Sequence, residues 1–277
     1  CSLDAVFILT PNNMHLPMSL IALQNGAHIF IERPAARNSK EARRIAETAK
    51  KYNRHVMVGM HARFRSDVRA VKKILDSNKL GDIFFIKAEW LQAKLQAVKQ
   101  PWWLHKNIAG GGVLMDLGIQ LIDTSWWLLN KPELESAKAF NQQINTEIEV
   151  EDFCSFFLKF SNSLKMTCHI SWNFPIVADR FRDETFGTRG SFSINPFKVE
   201  QIWHGKAIDI TPSQIKRDQH IFRNAYQAEI SHFIQFLQGR VDQLESNIEE
   251  AIIILEIMQM IYRSLETNRE VLSSDNM

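Results

Sequence analysis

The first 60 residues of the chain contain three short apolar runs separated by helical stretches. Residues 4–10, 27–31 and 55–59 are predicted to be strands, and residues 15–24 and 38–52 are predicted to be helices. Strands that alternate with helices in this way form right-handed crossovers, so the strands lie parallel with helices on both faces of the sheet. This pattern predicts half of a doubly wound domain.

Polar residues follow each of the three predicted strands. The first strand ends at Thr10, Pro11 and Asn12, the second at Glu32, Arg33 and Pro34, and the third at residues 60–63. In doubly wound folds, ligands bind outside the carboxyl ends of the parallel strands. These three segments are therefore expected to lie together beside a ligand.

The pattern changes near residue 80. A helix is predicted at residues 66–77 and another after Gly112, and two more are predicted at about 221–238 and 247–267. Short strands with short connections favour an antiparallel sheet, and they are predicted at 83–91, 136–144, 152–160, 164–172, 182–186 and 191–195.

The expected fold class is therefore α/β followed by α+β. Residues 1–80 form an incomplete, Rossmann-type dinucleotide-binding domain with a parallel sheet. Residues 81–277 form a domain with a large, predominantly antiparallel sheet and flanking helices, and this domain is expected to bind substrate and to mediate oligomerisation.

Composition excludes several partners and sites. The chain has 33 basic and 31 acidic residues without a long run of one sign, so neither nucleic acid nor a membrane is expected as a partner. The three cysteines lack CxxC spacing, which argues against a disulfide framework or a zinc site and favours a reducing cytoplasm. The histidines and acidic residues show no metal-ligand spacing, so no metal site is expected.

A glycine run precedes the most distinctive polar pattern. Gly110 to Gly112 open a predicted helix in which Asp116, Gln120 and Asp123 are spaced i, i+4 and i+7. Residues at this spacing share one helical face, so a polar face suited to chemistry is expected.

Several motifs in this order resemble the Gfo/Idh/MocA family of NAD(P)-dependent sugar and polyol oxidoreductases. The resemblance extends over essentially the whole chain. The matching motifs are Thr10-Pro11-Asn12 with His15, Glu32-Arg33-Pro34, Val58-Gly59 with Arg63-Phe64, Asp116-Leu-Gly118-Ile-Gln120, and residues 186–191.

The resemblance implies an oxidoreductase that acts on a sugar, a polyol or a related cyclic hydroxy compound with NAD or NADP. It implies a homo-oligomer formed through the antiparallel sheet. Cofactor contacts are expected from Thr10, Pro11, Asn12, His15, Glu32, Arg33 and Arg63, and substrate contacts from His61, Trp103, His105, Asp116 and Gln120.

Two expected catalytic positions differ from the family pattern. Arg33 stands where the family usually has lysine, and Gln120 stands where it usually has the proton-transferring histidine. A guanidinium stays charged and an amide does not titrate, so neither side chain exchanges a proton readily. Asp116 is then expected to act as base or orienter, Gln120 as a hydroxyl ligand and Arg33 as an electrostatic clamp.

The family's amino-terminal G-x-G-x-x-G turn has no counterpart in this sequence. By motif order the chain lacks the first βαβ units, which favours a fragment of a longer protein over a truncated gene product, and we expect such a chain to bind a dinucleotide poorly. The alternative function is that of a catalytically impaired family member that acts as a binding or regulatory protein. NAD-dependent glycoside cleavage is a third hypothesis, without specific support in the sequence.

Overall fold

A computed structural model of the protein describes residues 3–93, 101–213, 215 and 220–276, and these residues form two β-sheets flanked by helices. The strands are β1 Ala5–Ile8, β2 His28–Glu32, β3 Val56–Gly59, β4 Ile83–Ala93, β5 Leu134–Asn141, β6 Phe153–Phe160, β7 Lys165–Phe174, β8 Arg180–Gly187, β9 Gly190–Ile194, β10 Phe197–Trp203, β11 Lys206–Asp209 and β12 Val271–Leu272. The helices are α1 His15–Gln24, α2 Ser39–Lys51, α3 Ser66–Asp76, α4 Lys106–Ala109, α5 Ile119–Leu128, α6 Ile221–Leu237 and α7 Ile248–Thr267.

The small sheet has three parallel strands in the order β1-β2-β3, as the alternating sequence pattern predicts. Helix α2 begins where predicted, because the Asn38 side chain accepts a hydrogen bond of 2.9 Å from the backbone N–H of Glu41. Helix α1 ends just before Gly26, whose φ of +85° is readily adopted only by a residue without a side chain. The carboxyl ends of the strands therefore lie at one edge of the sheet.

The large sheet has nine strands in the order β11-β10-β9-β8-β4-β7-β6-β5-β12. Among these strands β4 and β7 pair in parallel, and the other neighbours pair antiparallel, which confirms the predominantly antiparallel sheet. Strands β10 and β11 were not expected from the sequence. They form a hairpin whose turn residues, His204 and Gly205, both have positive φ, and this is the conformation that joins two antiparallel strands tightly.

One hydrophobic cluster contains buried residues of both sheets. Ile29 and Ile31 of the small sheet belong to it together with Ile86 and Ile170 of the large sheet and Ile122 of α5. Because the two sheets share this core, burial of apolar surface, which is the main stabilising contribution to folding, holds them against each other. The expected domain boundary near residue 80 stays a prediction.

The carboxyl-terminal part of the chain returns to the small sheet. The backbone N–H of Val58 in β3 donates to the carbonyl of Ser246 at 2.9 Å, and Asn247 forms a β-bridge with Met57. Helix α6 packs Phe233 against Phe30 of β2. The segment before α7 therefore covers the outer edge of β3. No helix in the described part of the chain is long and apolar enough to cross a membrane.

Candidate active site

A cleft of about 390 Å³ lies where the ends of β1 and β2 face the glycine run and the segment that follows it. Its lining combines polar groups with aromatic rings, an arrangement typical of sites for small polar organic molecules. The residues that line it are Asn12, Glu32, Arg33, Pro34, Gln92, Trp102, Trp103, Ala109, Gly111, Gly112, Met115, Asp116 and Trp172.

Asp116 is held from two sides of this cleft. Arg33 Nη1 donates to the main-chain carbonyl of Asp116 at 3.0 Å and lies 3.3 Å from its Oδ1, while Trp172 Nε1 donates to Oδ2 at 3.0 Å. The Asp116 side chain remains 44% exposed, so solvent or a ligand can still reach it. The carboxylate is therefore fixed in orientation and accessible, as a group that binds a substrate hydroxyl must be.

The segment that carries Asp116 is held at its start by Glu151, a partly buried glutamate. Glu151 Oε1 accepts hydrogen bonds from the backbone N–H groups of Gly112 and Leu114 at 2.9 and 3.2 Å, and from the Tyr262 hydroxyl at 2.9 Å. Gly112 must lack a side chain, because a Cβ there would lie 2.0 Å from the Glu151 carbonyl oxygen. Glu151 thus serves as the amino-terminal cap of this segment.

The polar face expected from the i, i+4, i+7 spacing is divided in the structure. Residues Leu114–Gly118 form a π-helical turn, which is wider than an α-helical turn. Gln120 is 9% exposed and donates through Nε2 to the Asp116 carbonyl at 3.2 Å, and Asp123 is 1% exposed. Asp116 therefore reaches the cleft, whereas Gln120 and Asp123 lie behind it, which corrects the expected single face.

Of the three strand ends that were expected to lie together beside a ligand, the first two meet at the cleft, whereas residues 60–63 do not line it. Asn12 is buried and its side-chain amide donates to the Ala109 carbonyl at 2.8 Å, which ties the end of β1 to the glycine run. Glu32 lines the cleft at the end of β2, and burial raises the pKa of its carboxyl although the Arg33 charge and backbone amide oppose this. Asn12, Glu32 and Arg33 are thus brought together.

His15 has a different position from the other expected cofactor contacts. Its ring is fully buried, with Nδ1 2.8 Å from the Pro34 carbonyl oxygen and Nε2 2.8 Å from that of Thr10. Burial lowers the pKa of His15, and the adjacent carbonyl groups oppose that effect. His15 joins the ends of β1 and β2 and does not line the cleft, and neither Thr10 nor Pro11 lines it.

Arg63 is also placed away from the cleft. It is 1% exposed, and its guanidinium pairs with Asp123 at 2.5 and 2.9 Å, with the Glu245 carbonyl at 2.6 Å, and with the Glu250 carboxylate. These bonds join the segment after β3 to α5 and α7. The expected contact between Arg63 and cofactor stays a prediction, and this buried position does not support it.

Two of the three expected aromatic and histidine contacts lie outside the cleft. Trp103 lines it and is 37% exposed, whereas His105 lies on an exposed loop with Nδ1 3.2 Å from Glu149 Oε1. His61 is buried and stacks on Tyr226 with ring centroids 4.5 Å apart. Burial, and then the charges of nearby arginines, lower the pKa of His61 to about 4, so its ring is neutral at neutral pH.

The sequence reasoning missed Gln92 and Trp172 as cleft residues. They lie near the ends of β4 and β7, the parallel pair of the large sheet, so those strand ends meet at the same edge. Parallel pairing of two strands distant in sequence has no local signal. The alternation of buried residues along residues 164–172 could have placed Trp172 on the inner face of the sheet.

Glu229 of α6 was also missed. It is 1% exposed, its Oε1 has no hydrogen-bond partner among the described residues, and burial followed by the Glu32 charge raises its pKa to about 8. Its position in a mostly apolar helix could have identified it as a candidate site residue, since burial of a carboxyl group without a partner is energetically costly. Within the described ranges, no three histidine, cysteine or acidic side chains are grouped as metal ligands would be.

Comparison with known families gives two adjacent matches along the chain. Residues 2–60 match the profile described as an oxidoreductase family, NAD-binding Rossmann fold. Residues 68–193 match the profile of the GFO/IDH/MocA C-terminal domain. The two matches follow each other in the order in which the small and large sheets occur.

Individual relatives align over almost the whole chain. The D-glucoside 3-dehydrogenase of Escherichia coli is 25% identical over 97% of this chain and 79% of its own length. The D-xylose 1-dehydrogenase (NADP+) of Haloarcula marismortui is 23% identical over 97% of this chain and 74% of its own length. A solved structure of levoglucosan dehydrogenase with NADH and levoglucosan superposes with a TM-score of 0.85 at 21% identity, covering 97% of this chain and 80% of that one.

Proposed function

The chain belongs to the Gfo/Idh/MocA oxidoreductase family, and from this premise we propose that it carries out NAD(P)-dependent oxidoreduction of a sugar, a polyol or a related cyclic hydroxy compound. The observation that carries the proposal is the cleft itself, where Asp116 is fixed between Arg33 and Trp172 opposite the strand ends. Relatives named as dehydrogenases of glucosides, xylose and inositol support this substrate class.

The cleft residues have distinct proposed roles toward a carbohydrate-like substrate. Asp116 orients the reacting hydroxyl or accepts its proton, and Arg33 holds Asp116 and stabilises negative charge that develops on the substrate oxygen. The rings of Trp102 and Trp103 offer apolar surface to the face of a sugar ring. Gln120 remains a proposed hydroxyl ligand, although in this structure its amide holds the Asp116 carbonyl.

The strand ends fit the nicotinamide end of NAD or NADP. Glu32 offers a carboxylate to ribose hydroxyls, and Gly59 beside it leaves space, since a Cβ on Gly59 would lie 3.2 Å from Glu32 Oε2. Asn12 and Arg33 add donors at the same edge. NAD or NADP held at these residues would supply the hydride acceptor for oxidation of the carbinol carbon. A glycine-rich turn for the pyrophosphate is not found in the described residues, so the contacts proposed here are those to the nicotinamide end.

A second candidate function is that of a family member that binds its ligand without turnover. Arg33 and Gln120 favour it, because neither side chain releases or takes a proton readily at the positions where the family usually has lysine and histidine. In this alternative the cleft binds a sugar or nucleotide as a binding or regulatory protein.

Cofactor titration combined with a substrate screen distinguishes these functions. The full open reading frame that encodes this chain is expressed, titrated with NADH and NADPH by fluorescence, and screened with sugars and inositols for absorbance change at the nicotinamide band. We expect cofactor binding and turnover of at least one compound. Tight cofactor binding without turnover on a broad panel supports the second candidate, and absence of cofactor binding contradicts the oxidoreductase.

We also propose that the protein is a homo-oligomer through the open face of the large sheet. Phe85, Phe157 and Phe186 lie on the face opposite the buried core. Each of these side chains is half-buried in the isolated chain. Aromatic side chains on an uncovered sheet face are typical of surfaces that associate. A cytoplasmic location, expected from cysteine usage, stays a prediction.

A further inference from the structure

Two carboxyl groups approach the same short segment at the end of β3. A Cβ on Gly59 would lie 3.2 Å from Glu32 Oε2, which places this carboxylate directly over the Gly59 α-carbon. The backbone amide of the next residue, Met60, donates to the carboxyl of Glu229. Glu32 and Glu229 thus lie on neighbouring residues of one strand end, although 197 positions separate them in the sequence.

The two carboxyl groups differ in their access to ligand. Glu32 lines the cleft, whereas Glu229 is 1% exposed on α6 and its Oε1 has no hydrogen-bond partner in the described part of the chain. An unpaired ionised oxygen is costly in a buried position, and a second carboxylate nearby increases that cost. A single proton shared by the two carboxyl groups removes both the cost of the buried charge and the repulsion between two carboxylates.

We propose that Glu32 and Glu229 form a proton-sharing pair, in which Glu32 exchanges a proton with the ligand hydroxyl and Glu229 positions and stores that proton behind it. This proposal rests on the proposed oxidoreductase function. In the oxidative direction the O–H bond of the substrate breaks and an O–H bond forms on the pair. The two electrons of the C–H bond leave as the hydride that the nicotinamide takes up.

The pair replaces two titratable groups that the family pattern would provide. Arg33 stays positively charged and Gln120 does not titrate, so neither takes the proton. Both Asp116 oxygens already have partners, namely Arg33 and Trp172. Among the described residues that line the cleft, Glu32 is the other carboxyl group.

The charged and titratable groups around the pair come from the elements that pack against it. They are Arg33 after β2, His61 after β3, Asp123 on α5 and Tyr226 on α6. His61 is neutral near pH 7, and Asp123 is neutralised by Arg63. Burial, then the Glu32 charge, raises the pKa of Tyr226, so its hydroxyl stays protonated. The carboxyl pair is thus the group in this cluster that titrates near neutral pH.

The test is a pH titration of the full chain labelled with ¹³C at the glutamate side-chain carboxyls and followed by NMR, which requires no turnover. We expect one glutamate signal to titrate at about pH 8. The Glu229→Gln variant should lose this signal. The Glu32→Gln variant should shift it to lower pH by about one unit or more, because the neighbouring negative charge is gone.

Asp183→Asn is the matched control, since it removes a buried carboxyl group elsewhere and should leave the titration at pH 8 unchanged. If Glu229→Gln does not fold, Glu32→Gln alone tests the coupling. A titration at pH 8 that Glu32→Gln does not move overturns the proposal.

The rate provides a second measurement. Oxidative kcat/KM should rise about tenfold per pH unit below pH 8 in the wild type, and in Glu229→Gln this rise should move to lower pH. If the two carboxyl groups titrate as a coupled pair but no sugar is turned over, the proposed function is contradicted while the proton-sharing pair is supported. Turnover without coupled titration contradicts the pair alone.

Discussion

Arg33 donates to the main-chain carbonyl of Asp116 at 3.0 Å and lies 3.3 Å from its carboxylate, so one guanidinium joins the end of β2 to the segment after the glycine run. A lysine ammonium could approach only as a single point charge, whereas a planar guanidinium can bond two acceptors at once. The Nε atom of Arg33 is buried without a partner in the described residues. Arg33 therefore forms a bridge between the two segments and carries no readily transferable proton.

Asp116→Asn should reduce kcat/KM for sugar oxidation by about 100-fold. The amide keeps the shape of the side chain, but it lacks the negative charge that orients the reacting hydroxyl, and it offers Arg33 a weaker acceptor. Steady-state kinetics and far-UV circular dichroism measure the rate and the fold. The control is Glu149→Gln, which neutralises an exposed carboxylate beside His105 and should keep the full rate. An Asp116→Asn protein with wild-type kcat/KM contradicts the assigned role.

Arg63→Met should lower the free energy of unfolding by about 3–5 kcal/mol, because Asp123 then remains buried without its cation and Glu250 keeps only Lys131 as an ion-pair partner. Urea denaturation measures the change. Arg43→Gln breaks the Arg43–Glu256 pair, whose side chains are 56% and 40% exposed, and should cost less than about 1 kcal/mol. Equal losses in the two variants would show that the buried network contributes no more than a surface pair.

Asp183→Asn should change how stability depends on pH. Burial, reinforced by Glu184 and opposed by Arg65, raises the pKa of Asp183 from 3.8 to about 7. Between these pH values the folded protein keeps a proton that the unfolded chain releases, so wild-type stability falls as pH rises, by at most about 1.4 kcal/mol per pH unit.

The variant lacks this titration, so its stability relative to wild type should increase from pH 4 to pH 7 and level off above pH 7. Urea denaturation at several pH values measures the difference. Asp242→Asn, at an exposed position, should give a difference that does not depend on pH. A constant difference for Asp183→Asn would mean that this carboxyl is ionised in the folded protein.

Phe157→Glu should shift the protein toward monomer. Phe157 lies on the open face of β6 opposite Thr167, and a carboxylate there would have to be desolvated on association. Analytical ultracentrifugation measures the change in mass. Ile21→Glu on α1 places the same charge at a position that is 62% exposed and should leave the mass unchanged. A wild-type protein that sediments as a monomer contradicts the proposed interface.

Local signals in the sequence predicted much of the fold. The Asn38 cap, the Gly26 turn and the alternating apolar runs give the correct order of elements in the first sheet, because each of these signals acts within a few residues. The parallel pairing of β4 with β7 could not be predicted in this way. It depends on which strands of a nine-stranded sheet become neighbours, and tertiary packing decides that.

The candidate site was predicted only in part, again because local sequence signals do not reveal tertiary contacts. Glu32, Arg33 and Asn12 follow parallel strands, so their meeting at one edge follows from the strand pattern. Asp116 lines the cleft whereas Gln120 is nearly buried, and helical periodicity reveals neither this difference nor the π-helical turn at Leu114–Gly118. Glu229 reaches the site from α6, and no spacing rule connects that helix with β2.

Tyr262 and Glu151 together determine where the Asp116 segment begins. A Cβ on the neighbouring Gly111 would lie 1.9 Å from the Tyr262 hydroxyl oxygen, so Tyr262 packs directly against the backbone at Gly111 and no side chain fits there. A residue of α7 that lies away from the cleft therefore influences the position of the Asp116 carboxylate. In a random mutagenesis screen, losses of activity should map to this last helix as well as to the cleft, and transplanting the cleft residues alone into another relative should fail to transfer substrate preference.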